Sequence, residues 1–123
     1  ITLEKELNPN ELILFGDQTQ IEQVLINLLQ NAIQALEDAE EKRITLRAFI
    51  DEAGKIIIEV SDTGKGIEEE ALGKIFIPFF TTKKKGSGIG LSLSKQIMRR
   101  HKGNIQVRSK LGEGTTFKLI FNG

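Results

Sequence analysis

The run from Asp17 to Ala39, DQTQIEQVLINLLQNAIQALEDA, constrains this chain more than any other stretch. At 3.6 residues per turn, Ile21, Val24, Leu25, Leu28, Leu29, Ala32, Ala35 and Leu36 share one wide flank, which predicts a long helix that must lie on a core. Asp17 suits the N-cap, and Gln20 three residues on gives capping-box spacing. The acidic EDAEE at the far end opposes the helix dipole, so fraying is expected near Asp38, with a loop to Lys42. On the opposite flank stand Gln23, Asn27, Asn31 and Gln34. A line of neutral amide oxygens and N–H donors suits a bound anion and its metal, and it is equally what an ordinary solvated helix face offers. The helix alone does not decide between the two.

Composition narrows the partners. The 123 residues, 39% of them hydrophobic, are enough for one real core, so a single domain over 1–123 is expected. Seventeen basic and seventeen acidic residues cancel, which leaves no global field to hold nucleic acid or an anionic membrane, so any anion site must be local. The absence of cysteine removes disulfides, thiol catalysis and thiolate metal sites. No apolar run approaches the roughly 20 residues of a membrane span. A cytoplasmic domain is expected, with membrane anchoring of a longer protein left open. Ile1 sits in strand-like sequence without an initiating Met, as in a piece of a longer chain.

Around the helix the pattern is mostly strands in pairs. Thr2 to Leu7 alternates weakly, Asn8-Pro9-Asn10 is a turn signal and Leu12 to Phe15 is apolar, which predicts a short hairpin ending at Gly16. Ile44 to Asp51 and Lys55 to Asp62 predict a second hairpin, and Asn104 to Ser109 and Thr115 to Phe121 a third. Between them, Gly88 or Ile89 to His101 has the helical period, with Leu91, Leu93, Ile97 and Met98 apolar and Lys102-Gly103 as a stop. The expected fold is a two-layer α/β (α+β) sandwich, helices on one face of a mixed, mainly antiparallel sheet. Paired strands argue against a Rossmann arrangement.

The stretch SDTGKGIEEEALGKIFIPFFTTKKKGSGIG is long and irregular, with at most one short helix near Glu68 to Leu72, as functional loops are. Phe76, Phe79 and Phe80 are expected to clip part of a lid, about 67–88, to the body. In Asp62-Thr63-Gly64-Lys65-Gly66, an Asp ending an apolar strand can accept from an exocyclic amine such as that of adenine, and glycines let a planar ring approach. A plain strand-ending turn uses the same residues. Gly86-Ser87-Gly88-Ile89-Gly90-Leu91 opens a helix, where exposed N–H groups can cradle phosphate, or simply form a hinge. Leu91 stands where a Walker motif demands Lys. Lys83-Lys84-Lys85, Thr81 and Thr82 read first as a solvated loop, with one lysine able to screen a terminal phosphate. His101, the one histidine, closes a helix and has no recognisable acid or metal partner in sequence, so it reads as structural.

Together these stretches resemble the catalytic and ATP-binding domain of two-component sensor histidine kinases, within the wider family of gyrase, the Hsp90 chaperones and MutL. The resemblance covers almost the whole chain. Asn27-Leu28-Leu29-Gln30-Asn31-Ala32 is similar to the N box, residues 62–66 to the first G box, Phe76-Ile77-Pro78-Phe79-Phe80 to the F box and residues 86–91 to the second G box. Residues 101–105 and 112–117 are similar to the family's ending.

The resemblance implies a Bergerat-type fold that binds ATP and Mg²⁺ and transfers the γ-phosphoryl group to a histidine. Asn31 and Asn27 would hold Mg²⁺ and phosphate oxygens as the catalytic pair. Asp62 would bind the adenine amine, with Gly64 and Gly66 admitting the ring. Ile67, Phe76, Thr81, Thr82, Lys83, Gly86, Ser87, Gly88, Ile89, Gly90, Leu91 and Thr116 complete the implied nucleotide-contacting set. The implied partner is a dimerisation and phosphoacceptor domain of the same protein, absent from this chain, with a response regulator reached indirectly. Nucleic acid and direct membrane contact are not expected, and the isolated domain is expected to be monomeric. Two departures bear on the chemistry. Where hydrolytic relatives carry a Glu one turn before the metal-binding Asn, this chain has Asn27, which cannot act as a base, so hydrolysis should be slow. Where many histidine kinases carry Lys and an aromatic after the second Asn, it has Gln34 and Ala35. A serine kinase or an ATPase clamp on the same fold are the alternatives.

Overall fold

The structure, a computed structural model, describes residues 1–8, 16–80 and 89–122. Its elements are β1 (Thr2–Asn8), α1 (Gln18–Ala35), β2 (Arg43–Ile50), β3 (Ile56–Asp62), the one-turn α2 (Glu69–Leu72), α3 (Gly90–Arg100), β4 (Asn104–Lys110) and β5 (Gly114–Phe121). The strands form a mixed sheet in the order β1-β2-β3-β5-β4. β2 pairs antiparallel with β3, β3 with β5, and β4 with β5, so the two later hairpins stand as the sequence predicts. In the β2–β3 turn, Asp51 Oδ1 accepts from the Ala53 and Lys55 N–H groups at 3.0 and 2.9 Å, the local bond that makes Asp a turn residue.

β1 has one partner that the sequence pattern does not announce. It runs parallel to β2, with Thr2 beside Arg43 and Asn8 beside Phe49. A parallel pair needs a long crossover, and α1 supplies it. Residues 12–15, the expected hairpin partner, lie outside the described residues.

The core lies between the sheet and the helices. Val24, Leu28, Ala32 and Leu36, one per turn, are each at most 2% exposed, and they pack with Ile44, Val60, Phe117 and Leu119 of the sheet and Ile97 and Met98 of α3. Strand alternation turns Thr115, Phe117, Leu119 and Phe121 to this side. The opposite face combines charged residues with an in-register apolar patch of Phe49, Ile57 and Ile120. Arg47 reaches Glu6 at 3.1 Å and Glu59 at 2.8 Å and lies over the Phe49 ring. An exposed pair such as Arg47–Glu6 contributes about 0–1 kcal/mol, so the buried ridge and not the surface ion pairs sets the arrangement.

α1 begins where predicted: Asp17 is its N-cap, and Asp17 Oδ1 accepts from Gln20 N–H at 3.0 Å. It ends at Ala35, four residues short of the periodic run, with Glu37 and Asp38 beyond the C-cap, where their charge opposes the dipole. α3 ends in a Schellman arrangement: Lys102 adopts φ 57°, and Gly103 N–H donates to the Met98 carbonyl at 2.8 Å.

His101 joins the two helix ends. Its Nε2 accepts from Asp17 N–H at 3.0 Å, and its Nδ1 lies 2.8 Å from the Ile97 carbonyl. An accepting Nε2 leaves the proton on Nδ1, which donates to that carbonyl. The second leg of the capping box is therefore supplied by an imidazole from across the fold. His101→Ala should lower the unfolding free energy by about 1–3 kcal/mol, read as a fall in the urea midpoint. An unchanged midpoint would show that this bond does not hold the helix ends together.

Candidate functional site

The two asparagines of α1 are half-buried, whereas Gln23 and Gln34 on the same flank are exposed. Asn27 is held by its neighbours. Its Oδ1 accepts from Gln23 Nε2 at 2.9 Å, and its Nδ2 donates to the Gly90 carbonyl at 3.2 Å and to Ser94 Oγ at 3.3 Å. The first turn of α3 is thereby tied to the middle of α1. Ser94 is fully buried, and its own Oγ donates to the Gly90 carbonyl at 2.9 Å.

One turn beyond Asn31, the C-terminal end of α1 meets the first glycine loop. Lys65 N–H points at the Ala35 carbonyl at 3.4 Å, and a Cβ added to Gly64 would drive into that carbonyl and come within 2.8 Å of Ala35 Cβ. Gly66 has φ 78°, and its added Cβ would strike the Lys110 backbone. The loop is bolted further by Gly112 N–H to the Lys65 carbonyl at 2.9 Å and Ile67 N–H to Ser109 Oγ at 2.8 Å. These glycines make room first for the protein's own backbone. Asp62, 9% exposed at the end of β3, accepts from Gly64 N–H at 2.9 Å.

Asn31 therefore stands between two fixed points, about 6 Å along the helix axis from the residue tied to α3 and from the one that meets the glycine loop. The structure brings Asn27, Asn31 and Gly90 together with the end of α1 that packs on Gly64. Thr116 does not join them. Alternation along β5 turns it to the far face of the sheet, where its Oγ1 lies 2.9 Å from Ser61 Oγ. Thr115 is the inward residue, 5% exposed, paired in register with Asp62 and 2.8 Å from Ser109 Oγ. The burial alternation with Phe117 and Leu119 is the signal that identifies it.

The F box also divides. Phe76 and Phe80 are partly buried against the core, with Lys95 Nζ 5.1 Å from the Phe76 ring centroid. Phe79, expected to clip with them, is 74% exposed at φ 68°, and the buried anchor is Ile75. Leu91 is partly buried against the core, and Ile89 is exposed as the N-cap of α3. Thr81, Thr82, Lys83, Lys84, Lys85, Gly86, Ser87 and Gly88 lie outside the described residues, and with them the end of the expected lid.

This architecture has known counterparts. The family model described as "Histidine kinase-, DNA gyrase B-, and HSP90-like ATPase" matches residues 16–122. The chain belongs to that family. It is 35% identical over 119 residues to the sensor protein FixL of Bradyrhizobium diazoefficiens, covering 97% of this chain and 24% of that protein. With the histidine-protein kinase AtoS of Escherichia coli it is 43% identical over 118 residues, covering 96% and 18%. The chain thus spans about a quarter or less of these relatives. Among solved structures, the catalytic domain of the histidine kinase ThkA, nucleotide-free, superposes with a TM-score of 0.84 at 36% identity, covering 98% of this chain and 78% of that one.

The packing of the glycine loop has a direct consequence for the ligand-free protein. Gly64→Ala and Gly66→Ala should each lower stability by about 1–3 kcal/mol in thermal unfolding without nucleotide, because backbone on both sides leaves no room. Gly73→Ala, at φ −73° with nothing within 4 Å, is the control and should be neutral or stabilising. Unchanged stability in the first two variants would mean that the glycines serve only an incoming ligand.

Proposed function

We propose that residues 1–123 form one ATP-binding catalytic domain that transfers the γ-phosphoryl group of Mg-ATP to a histidine on a dimerisation and phosphoacceptor domain of the same protein, in two-component signalling. The observation that carries this reading is Asn27. It occupies the place from which a carboxylate would activate water, and an amide already bonded to Gln23, Gly90 and Ser94 cannot take a proton. Imidazole needs no such base, since its neutral nitrogen is a nucleophile.

The donor set fits Mg-ATP. Among the described residues no three His, Asp or Glu side chains cluster, so a metal here would be held by amide and phosphate oxygens, Asn31 foremost. The first turn of α3, which begins at Gly90, would offer its N–H groups to phosphate oxygens. Asp62 would accept the adenine amine, its carboxylate oriented by Gly64 N–H. When bound, Mg²⁺ neutralises phosphate charge. The chain's own part is to hold these groups in line and to keep a water-activating base away from them.

His101 is not the acceptor in this reading, since both ring nitrogens are engaged at the helix ends. The response regulator is an indirect partner. The proposed function places the domain in the cytoplasm; among the described residues no helix is long and apolar enough to cross a membrane.

The test supplies a His-bearing helical-hairpin domain in trans with labelled ATP. Acid-labile phosphohistidine should form on the added domain and none on His101. Acid-stable phosphoserine, or ATP turnover without any label, would replace this reading by the serine-kinase or clamp alternative. Asn31→Ala should reduce Mg-dependent binding of a fluorescent ATP analogue at least about tenfold, since loss of a metal contact removes a charge-neutralising ligand. Unchanged binding would remove Asn31 from the metal site.

A further inference from the structure

We propose that Gln23 is a positioning residue: it engages the outward-facing oxygen of the Asn27 carboxamide, whose nitrogen α3 already holds, and so keeps Asn27 aligned between the two helices. The inference rests on the phosphotransfer reading above. The α3 side of Asn27 accepts only one orientation. The Gly90 carbonyl can only accept, and Ser94 Oγ has spent its hydrogen on that same carbonyl at 2.9 Å. Both therefore require the amide nitrogen, at 3.2 and 3.3 Å. A flipped amide would set Oδ1 against a carbonyl oxygen. With the nitrogen so placed, Oδ1 faces back along α1, where Gln23 one turn earlier donates Nε2 at 2.9 Å. Gln23 thus completes a chain from the exposed flank of α1 through Asn27 to the buried Ser94 and the first turn of α3.

Two consequences follow from the chemistry. Bonded on both sides, Asn27 acts as a strut that spaces α3 from α1, next to the metal-holding role proposed for Asn31. An exposed i, i+4 amide pair contributes little to stability, so loss of Gln23 disturbs alignment more than folding. The residue touches neither nucleotide nor metal. It acts through Asn27.

The experiment compares the unaltered chain with Gln23→Glu, which keeps the shape and cannot donate, and Gln23→Lys, which restores a donor. With the His-bearing domain and labelled ATP, Gln23→Glu should slow phosphohistidine formation about tenfold while changing nucleotide affinity less than about twofold, and Gln23→Lys should recover most of the rate. The side-chain amide pair of Asn27 in a ¹⁵N spectrum should move in Gln23→Glu and return towards its original position in Gln23→Lys. Equal labelling by the unaltered chain and Gln23→Glu overturns the inference, as does an equal loss in both variants. If the unaltered chain labels no histidine, the phosphotransfer reading fails instead. The Asn27 resonances then decide the positioning by themselves: a shift confined to Gln23→Glu supports it, and unmoved resonances overturn it.

Discussion

Helix α1 is seated by its apolar ridge, Val24, Leu28, Ala32 and Leu36, which loses nearly all its exposure against the sheet and α3. Burial of this kind is strong and non-directional, at about 25 cal/mol per Å² of apolar surface, and by itself it leaves a helix free to slide or roll. Direction comes from polar contacts on the other flank and at the ends. His101 holds the N-terminus, Asn27 holds the first turn of α3, and the Ala35 carbonyl receives the glycine loop. Each bond is modest in net energy, yet each has a definite partner and length. The ridge supplies the stability, and the polar contacts supply the register that a ligand site requires.

That division explains what could be read from the sequence. The ridge, the Asp17 cap and the two later hairpins carry local signals: a 3.6 period, a capping side chain, turn residues between alternating runs. β1 carries a weak alternation that says strand, and the turn signal after it points to residues 12–15 and not to β2. Its parallel register with β2 is set across the α1 crossover, a non-local choice with no turn sequence to announce it.

The site follows the same rule. Asn27, Asn31, Asp62 and the glycines stand out in the sequence only in combination, since an amide flank or an Asp-Gly turn alone is ordinary surface. Ser94, Ser109 and Thr115 do not stand out. Each is a small hydroxyl residue whose meaning depends on what burial places opposite it, the Asn27 amide for Ser94 and the Ile67 N–H for Ser109. Thr116, which the resemblance alone implies, turns away from the core while Thr115 faces it, and two adjacent threonines look alike until the sheet face is assigned. Phe79 was grouped with its aromatic neighbours on composition, but a left-handed backbone at that position turns it out to solvent.

The glycine loop changes how the motif itself should be weighed. If Gly64 and Gly66 existed only to admit an adenine ring, their presence would be direct testimony to nucleotide binding. Their missing Cβ atoms instead make room for the Ala35 carbonyl and the Lys110 backbone, so folding alone would demand them in a protein that bound nothing. The functional reading rests more on Asn31 and Asp62. Asn31 is half-buried on the polar flank of α1, and a carboxylate only 9% exposed at the end of β3 is a costly choice for a strand end. Under the proposed function, Asn31 and Asp62 rather than the glycines are the residues that would carry Mg-ATP binding.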